Sequence, residues 1–231
     1  MITEEKMQNQ HNYSVDDIKV MEGLEAVRVR PGMYIGSTGS RGLHHMLWEI
    51  VDNAVDEAAN GFATTVSVTI NRDNSVVVED NGRGIPVGIH EKLHVSGVEV
   101  VYTQLHAGGK FNNDSYGFSG GLHGVGASVV NALSEYLEVE VKRDGKIYHQ
   151  RYERGHTATK LTVIGTAETT GTTTTFKPDG EIFEELEFDY NVLLARFREM
   201  AFLNGGIKII LRDDRGESPV ENILHYEGGI R

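Results

Sequence analysis

The sequence predicts an α+β fold, a mixed β-sheet covered by helices on one face, and three features carry that expectation. Over 43–60, apolar residues recur at helical spacing and place Leu47, Ile50, Val51, Ala54, Val55 and Ala58 on one side of a wheel. Two β-branched stretches, 64–70 and 75–79, flank a polar turn at 71–74. Strand and helix patterns then follow one another irregularly, without the steady alternation of a parallel doubly wound sheet.

Taken in order, residues 1–17 read as a polar N-terminal arm and 18–231 as one domain. Helical spacing over 22–29 ends before Pro31, and Arg30-Pro-Gly-Met-Tyr-Ile-Gly36 reads as a Pro-Gly turn. The helix over 43–60 is stopped by Gly61. After the strands at 64–70 and 75–79 come a helix over 95–106, a glycine-rich loop over 108–126 and a helix over 127–133. Stretches 137–143 and 146–153 form a hairpin around Asp144-Gly145. Strands are expected at 160–164 and 172–177. An amphipathic helix at 190–203 turns Leu193, Leu194, Phe197 and Ala201 inward, and 207–212 is the last strand. There is no internal repeat and no low-complexity stretch.

A chain of 231 residues with 39% hydrophobic and 24% charged side chains can bury a sizeable core. It has no cysteine, so a disulfide framework is excluded. No apolar run approaches the roughly 18 residues of a membrane span, and the polar N-terminus lacks a signal-peptide core. A cytoplasmic setting is expected. The net charge of −12 argues against this stretch gripping duplex DNA by itself.

Four stretches carry chemistry. The polar face of the 43–60 helix holds Glu49, Asp52, Asn53, Asp56, Glu57 and Asn60, with no Lys or Arg between Leu43 and Asn71. Like charges at i,i+4 destabilise a helix by a few tenths of a kcal/mol each, so something outside the helix should compensate. A solvated acidic face is one reading. A divalent cation carrying phosphates is another, because Mg²⁺ binds through one or two protein oxygens plus the nucleotide. Second, Val76-Val-Val-Glu-Asp80-Asn-Gly82-Arg-Gly84-Ile-Pro86 ends a strand in a carboxylate followed by spaced glycines. Such a carboxylate can accept from an amine, and bare backbone lets a flat ligand lie close; a plain Asp-Gly turn reads the same way. Third, Gly120-Gly121-Leu122-His123-Gly124-Val125-Gly126 precedes a helix, where backbone N–H groups can close on phosphate. It is neither a dinucleotide fingerprint nor a Walker A loop. Lys110 could bring a cation to the same phosphates. Fourth, Thr170-Gly171-Thr172-Thr-Thr-Thr-Phe176 suits a strand, with one hydroxyl at its start able to support Asp80.

In this order the four stretches resemble the GHKL ATPase family, which includes DNA gyrase, Hsp90, histidine kinases and MutL. Within it the chain is most similar to the ATPase domains of bacterial type II topoisomerases. Arg30-Pro-Gly-Met-Tyr-Ile-Gly36, Leu105-His-Ala-Gly-Gly-Lys-Phe111 and Tyr226-Glu-Gly-Gly229 add to that likeness. Gly42-Leu-His-His45 and Phe202-Leu-Asn204 favour the gyrase type over the topoisomerase IV type. The resemblance covers the chain from Tyr13 onward.

The resemblance implies a two-layer Bergerat sandwich with a mostly antiparallel sheet, and hydrolysis of ATP with Mg²⁺. Glu49 matches the general base and His45 the residue that holds its carboxylate. Asn53 matches the Mg²⁺ ligand and Asp80 the acceptor of the adenine amine, supported by Thr172 through water. Gly84, Ile85 and Pro86 match the floor under the base, and Glu57 with Arg83 the ion pair at the pocket mouth. Gly121, Leu122, His123, Gly124, Val125 and Gly126 match the phosphate wrap, with Lys110 beside it. Arg143 matches the outer contact for aminocoumarin inhibitors, and Tyr13 the arm residue that reaches the partner's nucleotide in an ATP-bound homodimer. Implied partners are the transducer and TOPRIM domains of a longer polypeptide, gyrase A, and DNA through the full enzyme. The reading is then of a fragment ending before the transducer domain, monomeric alone and slow to turn over. Gly117, Gln104, Ala127, Thr174 and Met21 depart from the enterobacterial pattern; Gln104, Ala127 and Thr174 replace apolar residues beneath the base or beside the loop.

Overall fold

The computed structural model describes residues 23–105 and 126–228. Their strands form one mixed sheet. Strands β1 (Thr65–Ile70) and β2 (Val76–Asp80) are followed by β3 (Ser134–Arg143), β4 (Lys146–Glu153), β5 (His156–Thr157), β6 (Thr162–Thr166), β7 (Gly171–Pro178), β8 (Lys208–Asp213) and β9 (Val220–His225). The spatial order is β5-β4-β3-β7-β2-β1-β8-β9, with β6 also pairing β4. Every pairing is antiparallel except β1 with β8.

Register explains why one face is covered. Leu137, Phe176, Val76 and Ile70 form one inner row, and Val139, Thr174, Val78, Val68 and Leu211 the next. Val141, Thr172, Asp80, Val66 and Ile209 form the third. All but the half-buried Asp80 are buried. The intervening residues, such as Ser67, Glu79, Thr173 and Glu140, are half-buried or exposed, as the period of two requires. The strand that ends in Asp80 therefore turns that carboxylate inward, under the helices.

Those helices are α1 (Gly23–Val29), α2 (Gly32–Ile35), α3 (Ser40–Ala59), α4 (Gly97–Thr103), α5 (Gly126–Ala132) and α6 (Tyr190–Leu203). Helix α3 packs on β1 and β2, and α5 packs on α1, α3 and α4. Trp48 of α3 meets Phe197 of α6 edge-on at 5.7 Å. His44 is buried, bonds Ser40 O through Nδ1 at 2.7 Å, and accepts the Asp189 N–H through Nε2 at 2.9 Å. Those partners require the neutral ring with its proton on Nδ1, and they tie α3 to the start of α6. Among the described residues, no helix is long and apolar enough to cross a membrane.

Several expectations are corrected. The stretch 30–36 is not a bare turn: Pro31 starts the short helix α2, which Gly36 ends at φ +81°. Helix α3 begins at Ser40, three residues before Leu43. Helix α4 starts later than expected, because Ser96 caps it by accepting from Glu99 N–H at 3.1 Å. Strand β6 lies two residues downstream of the expected 160–164, and the two-residue β5 is an addition to the expected strands. Stretch 207–212 is not the last strand: β9 follows on the edge, where only Leu224 is buried, so no alternation marks it.

Below the sheet edge, Arg28 donates to the last carbonyl of α5, Ala132 O, at 2.8 Å and to Asp179 at 2.9 Å. Arg154 Nε reaches the same Asp179 oxygen at 2.8 Å. Burial alone would raise the Asp179 pKa, but bonds from Arg154, Glu181 N–H and Arg28 together hold it below the usual carboxylate range. Arg28→Ala should lower the unfolding free energy by about 2–3 kcal/mol, since it leaves a buried carboxylate with less compensation. A depressed carboxylate stabilises above its unfolded pKa and loses that contribution as pH falls through the folded value. The wild-type advantage in urea melts should therefore persist at pH 7 and shrink below about pH 4.

Candidate active site

Helix α3 lays its polar side along one edge of the site. Glu49, Asn53 and Glu57 are spaced by four, so they stack on one face, and a rise of 1.5 Å per residue separates the two ends by about 12 Å. At the first end, His45 Nε2 lies 3.1 Å from Glu49 Oε1. The Glu49 contact raises the His45 pKa above its ordinary 6.5, against opposing burial, with the Glu49 and Asp52 charges adding. The protonated ring is thus favoured beside the carboxylate. On the other side of Glu49 lies Gly126, the first residue of α5. A methyl group there would fall 2.0 Å from Glu49 Oε2 and 2.9 Å from its Cβ, so only glycine lets α5 approach this carboxylate.

At the second end, Glu57 and Asp80 close around Gly82. A Cβ on Gly82 would lie 2.8 Å from Asp80 Oδ1 and 2.9 Å from Glu57 Oε2. Gly82 N–H donates to Asp80 Oδ1 at 2.8 Å. Burial is the main reason the Asp80 carboxyl is pushed up to about 6; the Glu57 and Glu79 charges add to it, and bonds from the Gly82 and Thr172 backbone oppose it. A half-buried carboxylate with one oxygen taken by Gly82 is suited to a ligand that brings its own donor. Asp80 pairs with Thr172 across β2 and β7, and the Thr172 hydroxyl accepts from Ile85 N–H at 3.3 Å.

The loop that follows Asp80 is held on three sides. Gly84 has φ +76°, and a Cβ there would press on Lys142 O at 2.8 Å. Arg143 Nη1 donates to Gly84 O at 2.6 Å. Arg83 forks onto Glu57, with Nη2 to Oε1 at 2.7 Å and Nε to Oε2 at 3.1 Å, and its backbone N–H adds a bond to Oε2 at 3.2 Å. Its guanidinium also stacks 3.5 Å above the Phe62 ring. Part of the compensation the acidic helix needs thus comes from Arg83, at 26 positions' remove, and from His45. Asp56, expected on the polar face, is 3% exposed.

The described residues bring Glu49, His45, Asn53, Glu57, Asp80, Arg83, Gly84, Ile85, Gly126, Arg143 and Thr172 into one neighbourhood, with Pro86 exposed on the same loop. Tyr13, Lys110, Gly121, Leu122, His123, Gly124 and Val125 lie outside the described residues. Among the described residues, no group of three or more His, Cys, Asp or Glu could cage a metal ion. Asn53, a neutral hard oxygen on α3, instead suits a cation that keeps most of its shell on phosphate and water. Sequence reasoning misses Phe62, since a lone aromatic after the helix-ending Gly61 carries no pattern that marks it as a platform.

Residues 38–182 match the family described as histidine kinase-, DNA gyrase B-, and HSP90-like ATPase. The chain is 60% identical over 222 residues to the DNA gyrase B protein of Halalkalibacterium halodurans, covering 96% of this chain and 35% of that protein. It is 58% identical over 219 residues to the DNA gyrase B protein of Clostridium acetobutylicum, covering 95% of this chain and 34% of that protein. For the DNA gyrase B protein of Staphylococcus aureus the figures are 58% over 225 residues, 96% and 35%. The chain therefore spans about a third of the length of the curated relatives it matches.

Proposed function

Because the chain belongs to the family of histidine kinase-, DNA gyrase B- and HSP90-like ATPases, we propose that it is the ATP-binding and hydrolysing domain of a gyrase-type type II topoisomerase. The observation that supports this most is a carboxylate at each end of one helix face: Glu57 at one end, beside the half-buried Asp80 of β2, and the half-buried Glu49 at the other, held by His45. Glu57, which flanks Asp80 at Gly82, lies about 12 Å from Glu49 along α3, a span that suits a purine at one end and the terminal phosphate of the same nucleotide at the other.

In this reading Asp80 accepts from the purine amine, and Gly82, Gly84 and Ile85 present backbone to the ring. Glu57, Arg83 and Arg143 brace the mouth. Glu49 takes a proton from a water whose oxygen forms the new bond to the γ-phosphorus as the bond to the β-phosphate oxygen breaks, leaving ADP and phosphate. Asn53 would hold Mg²⁺, which supplies charge relief on the phosphate oxygens when bound. Lys110 and 121–126 would close on the phosphates, and Tyr13 would reach a second copy's nucleotide. In the whole protein the proposed cycle of ATP-driven homodimerisation serves negative supercoiling of DNA with transducer and TOPRIM domains and gyrase A, in the cytoplasm. Aminocoumarin-type compounds are the proposed competitors at Arg143.

Calorimetry with non-hydrolysable adenine and guanine nucleotides tests the reading. Guanine carries a carbonyl where adenine carries the amine, so it would face Asp80 acceptor to acceptor. The expected result is adenine binding with a preference of at least about tenfold, the worth of one charge-assisted hydrogen bond. Equal affinity for both, or none for either, overturns it.

A further inference from the structure

Strand β7 presents two threonines to the covered face of the sheet, and the reading above uses one. Thr172 lies beside Asp80 and holds Ile85 N–H. Thr174, the next inner position, is 3% exposed and lies in a row otherwise made of Val139, Val78, Val68 and Leu211. A hydroxyl in an aliphatic row must find a partner or lose free energy on burial. It finds Tyr102 of α4, whose phenol oxygen is 2.7 Å from Thr174 Oγ1.

Tyr102 is itself 2% exposed. Its backbone carbonyl accepts from Asn131 Nδ2 at 2.8 Å. Asn131 belongs to α5, whose first residue is the glycine packed against Glu49. Valine and phenylalanine would fill the same space, and the net gain from a buried hydroxyl pair is small. What the pair adds is direction: a bond of fixed length and angle pins α4 to β7 beside Asp80. Asp80 thus lies opposite one hydroxyl clamp of β7, Thr172 holding Ile85 N–H, and one inner row from a second, Thr174 holding Tyr102 of α4. Burial raises the Tyr102 pKa and the Asp80 charge adds to that rise, so the two groups share one electrostatic neighbourhood.

We propose that Tyr102, paired with Thr174, is a positioning residue for base recognition at Asp80, because the hydroxyl pair sets the spacing between α4 and the strand beside that carboxylate. This rests on the nucleotide reading above. The test is Tyr102→Phe, Thr174→Val and the double variant, each assayed for ATP turnover, for calorimetric affinity toward non-hydrolysable adenine and guanine nucleotides, and for melting temperature.

Each single variant should raise KM about three- to tenfold, the worth of one hydrogen bond left half-made, with kcat within about twofold and a reduced adenine preference. The double variant should recover part of the affinity, because no hydroxyl is then orphaned. Single variants that change melting temperature but keep the wild-type KM and base preference overturn the proposal, leaving the pair a packing contact. So does a double variant weaker than either single one. A wild-type chain that binds no adenine nucleotide defeats the functional reading itself, a distinguishable outcome.

Discussion

Glu49→Gln leaves the adenine nucleotide bound and lowers its hydrolysis by about a hundred- to ten-thousandfold, the usual contribution of a positioned general base. The geometry makes the glutamine variant the informative one. The carboxylate is wedged between His45 at 3.1 Å and the glycine face of α5, where a Cβ on Gly126 would meet Glu49 Oε2 at 2.0 Å. Glutamine keeps that shape, so lost turnover reports lost basicity rather than a moved helix. Single-turnover phosphate release, with nucleotide affinity measured in parallel, separates an ATPase from a module that nucleotide merely closes. Unchanged release in the variant removes Glu49 as the base and favours the gated module. His45 supplies an independent readout. Its pKa is raised chiefly by the Glu49 contact, so the stability this pair contributes is present below about 6.5 and is lost as pH rises through the folded value. In Glu49→Gln the ring should titrate closer to its ordinary value by NMR.

How much of the fold and site is legible in the sequence depends on the range of each interaction. Helix α6 is readable to its ends, since its spacing and the Asp189 cap are local. Glu49, Asn53 and Glu57 are readable as one face because helical spacing is local too. The inward turn of Asp80 follows from strand alternation and its pairing with Thr172, both properties of a period of two. What compensates the acidic face is not readable. The fork from Arg83 to Glu57 spans 26 positions, and Phe62 beneath it follows no repeat. Thr174 is visible as a polar departure, yet its meaning depends on Tyr102, on an element 72 positions away. Strand β9 escapes because an edge strand needs only one buried side chain to hold its place.

Asp80→Asn should do two opposite things at neutral pH: weaken adenine nucleotide binding roughly ten- to hundredfold and stabilise the ligand-free chain. The binding loss follows from counting acceptors. The carboxylate accepts from Gly82 N–H through Oδ1 at 2.8 Å and from the Thr172 backbone, and its two oxygens still have lone pairs for a ligand's donor. Asparagine has one carbonyl oxygen, so either Gly82 N–H is orphaned or an NH₂ group faces the purine amine. The stability gain follows from linkage. A folded-state pKa of about 6 against an ordinary 3.8 means the native chain binds more protons than the unfolded chain between those values. Stability therefore falls as pH rises from about 4 to about 6 and stays lower above that, by an upper figure of about 3 kcal/mol. Asparagine never bears the charge and escapes the penalty, so its advantage in denaturant melts should be about 1–3 kcal/mol at pH 7.5 and vanish near pH 4. Wild-type affinity for the nucleotide should fall as pH drops below about 6, while the asparagine variant shows a flatter profile. A variant that binds adenine nucleotide like the wild type, or that is less stable than it at pH 7.5, contradicts the assignment. The reason is physical: a carboxylate kept partly dehydrated at the expense of the fold is justified only by a ligand that brings it a proton donor.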